Sequence, residues 1–232
     1  MKYMLSAITG LTDEDTTGEC VVMLHGLARS SASFFVMQKA LEGIGYRVIN
    51  VNYASKEGTI EEQAMSVLPD VIAACDTCTR MHFVTHSMGG IMLRYYLQNV
   101  QPRPENLGRC VMLAPPNKGT PLIDKLEDVI GFELLNGVAG KQLGTGAGSL
   151  PNRLGGVDYP VGIIAGNKAV APLYAGLFDG ENDGKVSVES TKLDGMADHI
   201  VLPVTHTFLM NSPLVFKQVA HFLREGFFLH ET

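Results

Sequence analysis

Eight residues constrain this chain more than any others: Phe83-Val84-Thr85-His86-Ser87-Met88-Gly89-Gly90. The residues leading in, 81–84, carry the apolar, aromatic and β-branched character of a buried strand. Beyond the stretch, Ile91, Met92, Tyr95 and Tyr96 recur at helical spacing, so a helix follows at once. A serine in so tight a strand-to-helix turn sits in crowded backbone and needs a very small residue two positions on. Gly89 meets that need, and Gly90 lets the helix pack closely. Such a turn lifts the Ser87 hydroxyl above the sheet and aims the first N–H groups of the helix at whatever binds there. Thr85 stands where the usual Gly-x-Ser-x-Gly spacing has its first glycine, a bulkier departure.

The remaining chain alternates in kind. Apolar runs at 20–24, 47–52, 81–85, 109–113, 159–165 and 200–204 read as strands. Helical patterns cover 32–41, 59–75, 88–99 and 211–224, with Pro69 expected to bend the second. Strands alternating with helices predict an α/β fold: a mostly parallel sheet of about six strands with helices on both faces. Residues 1–19 read as a polar lead-in with one short strand at most. Residues 115–156 break the alternation. A helix is predicted from Pro121 to Leu135, then a glycine-rich run with little regular structure. An excursion of that length inside a compact domain points to a flap over a site. Its Leu122, Ile123, Leu126, Val129, Ile130, Phe132, Leu134 and Leu135 could line an apolar groove. No repeat or linker interrupts 1–232, which reads as a single domain.

Composition narrows the partners. A net charge of −6 argues against a nucleic-acid surface and against an anionic partner. No apolar run reaches the roughly 18 residues of a membrane span, and residues 1–8 are too short for a signal-peptide core, so the chain reads as cytoplasmic. Cys20 and Cys110 start apolar strands and read as buried thiols. Cys75-x-x-Cys78 lacks a second pair and falls at a helix C-terminus, where no electropositive dipole lowers a thiol pKa. It reads as a reduced structural pair, and neither a metal nor a cofactor is expected.

A serine hydroxyl attacks carbonyls only with a general base beside it and an acceptor holding that base in the right tautomer. In parallel sheets ligands bind beyond the carboxyl ends of the strands, and this rule sorts the seven histidines. His82 and His199 precede their strands; His86 is locked in the turn; His221 and His230 lie on or beyond the last helix. His25 shapes the loop before Gly26, which leaves His206 as the base. For the acid, Asp158, Asp194 and Asp198 precede strands, whereas Asp179, Glu181 and Asp183 follow one. Asp183 is favoured because Gly184 permits a tight turn beside it. The chain order Ser87, Asp183, His206 is that of a nucleophile turn on a doubly wound sheet. Oxyanion donors are expected at the backbone N–H of Met88 and of Leu27.

These residues together resemble the α/β-hydrolase superfamily, in particular its small bacterial lipase and esterase branch. His25-Gly26-Leu27 is similar to the oxyanion loop, residues 85–90 to the nucleophile elbow, and Asn182-Asp183-Gly184-Lys185-Val186 to the acid loop. Asn117-Lys118-Gly119-Thr120 is similar to a turn beyond the elbow, and residues 195–208 resemble the closing part of bacterial lipases. The resemblance spans roughly residues 20–225. It implies hydrolysis of a small-molecule or lipid carboxylic ester through an acyl-enzyme. The brevity of the flap favours short or medium acyl chains. Thioester or amide hydrolysis would use the same groups, and a non-catalytic binding protein could share the fold.

Overall fold

The computed structural model describes residues 16, 18–126, 131–169 and 176–230. Its centre is a sheet of six parallel strands: β1 (Glu19–Leu24), β2 (Arg47–Val51), β3 (Arg80–His86), β4 (Leu107–Leu113), β5 (Val161–Gly166) and β6 (Asp198–Leu202). The spatial order is β2-β1-β3-β4-β5-β6. The order reverses at β1, so β1 and β3 flank a switch point where loops diverge and leave a crevice. Register runs Leu24 beside Thr85 and His86 beside Leu113, which brings the ends of β1, β3 and β4 to one rim.

Side-chain alternation divides the core. Cys20, Val22 and Leu24 pack on one face with α2 (Ile60–Ala73) and α3 (Met88–Asn99). Val21 and Met23 pack on the other with α1 (Phe35–Gly43), and the last helix, Pro213–Glu225, joins that layer. Both faces are therefore covered, as parallel sheets require. A capping box starts α2: the Thr59 hydroxyl accepts from the Glu62 N–H at 3.2 Å, and the Glu62 carboxylate accepts from the Thr59 N–H at 2.8 Å. Pro69 lies within α2, which continues past it to Ala73. No helix among the described residues is long and apolar enough to cross a membrane.

Several boundaries differ from the sequence reading. The lead-in strand considered for residues 1–19 lies mostly outside the described residues. His82 and His199 sit inside β3 and β6 rather than before them, though still toward the amino ends. The closing helix begins at Pro213 instead of Asn211, which ends a 3-10 turn. Proline at the first helical position surrenders an N–H that would have no partner there, so it sets the start.

The flap region is more ordered than the sequence suggested. In place of one helix over 121–135 there are α4 (Pro121–Leu126) and α5 (Phe132–Lys141), with a kink at Gly137; residues 127–130 lie outside the described residues. A further short helix, α6, covers Leu150–Arg153 within the glycine-rich run. Long-range bonds hold this order in place. The Gln142 amide oxygen accepts from the Ile60 N–H at 2.7 Å, tying the end of α5 to the start of α2.

Candidate active site

Ser87 follows β3 with φ 53° and ψ −122°, a conformation that costs a non-glycine residue about 1–3 kcal/mol. The surroundings over-determine it. The Ser87 N–H donates to the Leu113 carbonyl at 2.9 Å, and the Gly90 N–H donates to the Ser87 carbonyl at 2.9 Å. A Cβ at Gly89 would lie 2.5 Å from the Leu24 carbonyl oxygen, so no larger residue lets α3 seat against β1. Among the described residues the other non-glycine positive-φ positions are Ala28 and Ala114. They follow β1 and β4, the two strands beside β3, so backbone strain is concentrated around one crevice.

The departure at Thr85 has a physical explanation. Its side chain is buried, and its hydroxyl oxygen would lie 3.2 Å from a Cβ placed on Gly90. The missing side chain at Gly90 therefore makes room for the extra bulk at Thr85.

His206 and Asp183 meet across the same rim. The His206 Nδ1–H donates to Asp183 Oδ2 at 2.8 Å, and the His206 N–H donates to the Asp183 carbonyl at 3.0 Å. Both side chains are buried. The other carboxylate oxygen, Oδ1, accepts from the N–H groups of Lys185 at 3.0 Å and Val186 at 2.8 Å. Asp183 is thereby aimed at the ring, and Nδ1 carries the proton, leaving Nε2 as acceptor.

Ser87 and His206 line one cleft of about 410 Å³, together with Leu27, Arg29, Thr120 and Lys185. Apolar walls come from Leu122, Ile123, Leu126 and Leu143. Of the apolar flap residues picked from sequence, Leu122, Ile123 and Leu126 thus reach the cleft, while Val129 and Ile130 lie outside the described residues. Met88 is the first residue of α3, where backbone N–H groups have no intrahelical acceptor. Leu27 lies past the end of β1 across the crevice. The Lys185 ammonium is held below the ordinary lysine range by burial first and by the charge of Arg29 second.

Two residues escaped the sequence reading. His86 was read as merely locked in the turn, yet its Nε2 lies 3.0 Å from the His206 carbonyl and its ring packs 4.7 Å from the His206 ring. A carbonyl only accepts, so Nε2 carries the hydrogen. Arg94 is almost wholly buried in α3 and donates to the Asn117 carbonyl at 3.3 Å, its side-chain oxygen at 3.1 Å, and the carbonyls of Leu154 at 3.1 Å and Gly155 at 2.9 Å. Burial lowers its pKa to about 10. It pins both ends of the flap to the helix that follows Ser87. A lone arginine in an apolar helix was the available signal, but its partners are distant in sequence. His25, by contrast, does what its position suggested: it stacks on Tyr53 at 4.1 Å and shapes the loop.

The strand order, the crossovers and the strained serine turn define the α/β-hydrolase fold. The chain is similar in structure to Bacillus licheniformis lipase BlEst2 in its mature form, with TM-score 0.72, 21% identity, and coverage of 92% of this chain and 94% of that one. It covers 53% of the propeptide form of the same lipase. It is also similar to a structure of the metagenome-derived lipolytic enzymes LipS and LipT, with TM-score 0.63, 15% identity, and coverage of 90% and 95%. A third likeness is the RedJ thioesterase of Streptomyces coelicolor, with TM-score 0.53, 15% identity, and coverage of 93% of each chain. At these identities the likeness speaks for the fold. No family model matches the sequence, and no curated protein matches it either.

Proposed function

We propose that this chain is a serine hydrolase that cleaves carboxylic esters through an acyl-enzyme. The observation that carries the reading is the buried Asp183–His206 pair, which lines the same cleft as a serine held at positive φ. In this reading Ser87 Oγ attacks the acyl carbon while His206 Nε2 takes its proton. The carbonyl oxygen gains negative charge and is held by the N–H groups of Leu27 and Met88. Collapse expels the alcohol, which leaves with the proton from His206. Water then repeats the sequence against the acyl-serine, with His206 again removing a proton, and frees the acid. Asp183 keeps the imidazole oriented and stabilises its cationic form.

The lipolytic structural neighbours favour an ester as substrate, and the apolar wall from α4 suits an acyl chain. A thioesterase reading draws support from the RedJ likeness and from chemistry, because only the leaving group changes. A fluorophosphonate probe tests the shared core: one adduct on Ser87, absent in Ser87→Ala, is expected. No labelling of folded protein would leave a binding protein on this fold. Ester, thioester and amide substrates offered side by side then separate the leaving groups.

A further inference from the structure

The structure brings Cys20 to the Cys75-x-x-Cys78 pair, from which the sequence separates it. Cys20 is the second residue of β1, while Cys75 and Cys78 lie in the turn between α2 and β3. Their sulfur atoms all lie within 4.8 Å of one another. The sequence by itself reads Cys20 as a buried strand thiol and Cys75-x-x-Cys78 as a reduced structural pair. Parallel pairing of β1 with β3, Cys20 beside Met81, is what delivers the third thiol.

Thiols often fill apolar space as small hydrophobes. Two features here exceed that role. Arg47, paired with Cys20 in the sheet register, points a guanidinium N–H at Cys78 Sγ from 3.7 Å. A cation placed among thiols is what a site with excess negative charge requires. The turn carrying the pair is also fixed independently of the sulfurs: the Cys78 N–H donates to the Cys75 carbonyl at 2.9 Å. The Asn106 side chain donates to the carbonyls of Cys75 at 3.1 Å and Cys78 at 3.0 Å. The turn that presents Cys75 and Cys78 to Cys20 is thus braced by bonds that do not involve sulfur.

We propose that Cys20, Cys75 and Cys78 form a trithiolate site for one thiophilic d10 cation, with Zn²⁺ the best match. A cation central to three sulfurs at most 4.8 Å apart would sit no more than about 2.8 Å from each, so each need approach by at most about 0.5 Å to reach a Zn–S distance of about 2.3 Å. Binding would release the three thiol protons. Zn²⁺ with three thiolates carries net −1, and the Arg47 guanidinium offsets it. Water would complete the tetrahedron, entering past Cys78, which alone of the three has any exposure, at 7%. The site lies at the amino ends of the strands, on the rim opposite Ser87. Its ion would therefore brace β1 against the turn without taking part in chemistry at the serine, and the proposal is independent of the hydrolase reading.

The test uses the whole chain, fully reduced and stripped of metal by a chelator. Zn²⁺ titrated against a chromophoric competitor should bind at one equivalent per chain. Co²⁺ in its place should give thiolate-to-metal charge-transfer absorption. Cys20→Ala and Cys75→Ala should each weaken Zn²⁺ binding roughly 100-fold or more, whereas Cys110→Ala should leave it unchanged. Zn²⁺ should also raise the melting temperature of the wild type and not of Cys20→Ala. Reduced wild-type protein that takes up no stoichiometric Zn²⁺ and shows no thiolate band with Co²⁺ would overturn the proposal, whatever the variants do. So would Zn²⁺ binding that persists undiminished in Cys20→Ala.

Discussion

His86 holds His206 by its backbone: its Nε2–H donates to the His206 carbonyl at 3.0 Å, and its other ring nitrogen is buried with no hydrogen-bond partner among the described residues. The residue next to the serine therefore ties down the loop that carries His206. A Cβ at Gly26 would lie 2.9 Å from the unpartnered Nδ1 and 3.2 Å from the Ser87 Cβ. The Ser87 turn, the loop after β1 and the loop of His206 converge on this one imidazole.

His86→Phe keeps the ring and loses the tether. Its expected effect on ester hydrolysis is a fall in kcat of roughly 10- to 100-fold with KM changed little, as for a small displacement of a reacting group. Steady-state kinetics on a soluble ester check it, with circular dichroism to show that the fold survives. An unchanged kcat would mean that the base loop needs no such support.

Asp183 acts through two sets of bonds, and two substitutions separate them. Asp183→Asn removes the charge beside His206, and kcat should fall by about 10⁴-fold, as when a triad acid becomes an amide. Asp183→Ala also strips the acceptor from the Lys185 and Val186 N–H groups, so its melting temperature should fall further than that of the asparagine variant. Equal melting temperatures with unequal activities would remove the structural role.

Acid should destabilise the fold well before the carboxylates titrate. Burial, with the charge of His206 second, holds His86 well below the ordinary histidine range; burial also lowers His25 and His199. All three take up a proton less readily in the folded chain than in the unfolded chain, which gains their protons as pH falls through about 6.5. The unfolded state then binds more protons, so stability drops from about that pH downward. Glu19, held low chiefly by its hydrogen bond from His82, keeps its full contribution above its ordinary value of 4.5 and loses it as pH falls from there through its lowered folded value. Melting temperatures at pH 7.5, 6.5 and 5.5 should descend in that order, and a flat series would defeat the expectation.

Arg94 should matter for stability more than its distance from the serine suggests. Arg94→Met would leave both oxygens of buried Asn117 and the half-buried Leu154 carbonyl without this donor, whereas the Gly155 carbonyl keeps Gln98 Nε2 at 3.0 Å. At roughly 1–3 kcal/mol for an unsatisfied buried group, the expected loss is about 3 kcal/mol, or about 10 °C in melting temperature. Thermal unfolding followed by calorimetry measures it directly.

Substrate length offers a further check. With a cleft of about 410 Å³ walled by Leu122, Ile123, Leu126 and Leu143, rates on p-nitrophenyl esters should peak at short or medium acyl chains. A maximum confined to emulsions of long-chain esters would show that the wall opens further than this structure does.

Much of this was legible in order along the chain, because it rests on local physics. Alternating apolar patterns predicted the strands and most helices, since a buried face imposes its own period on any sequence that forms it. The elbow at Ser87 was readable because crowded backbone demands small residues at fixed spacing. That Asp183 and His206 share one rim followed from which ends of the strands they leave. Tertiary structure decided whatever depends on residues meeting from afar. Cys20 joined Cys75 and Cys78 only through strand pairing, Arg94 found its carbonyls only through the folded flap, and His86 reached His206 across 120 residues. Periodicity records which face of an element is buried; it carries no trace of which distant atoms press against that face, and those contacts position His206 and gather the thiols.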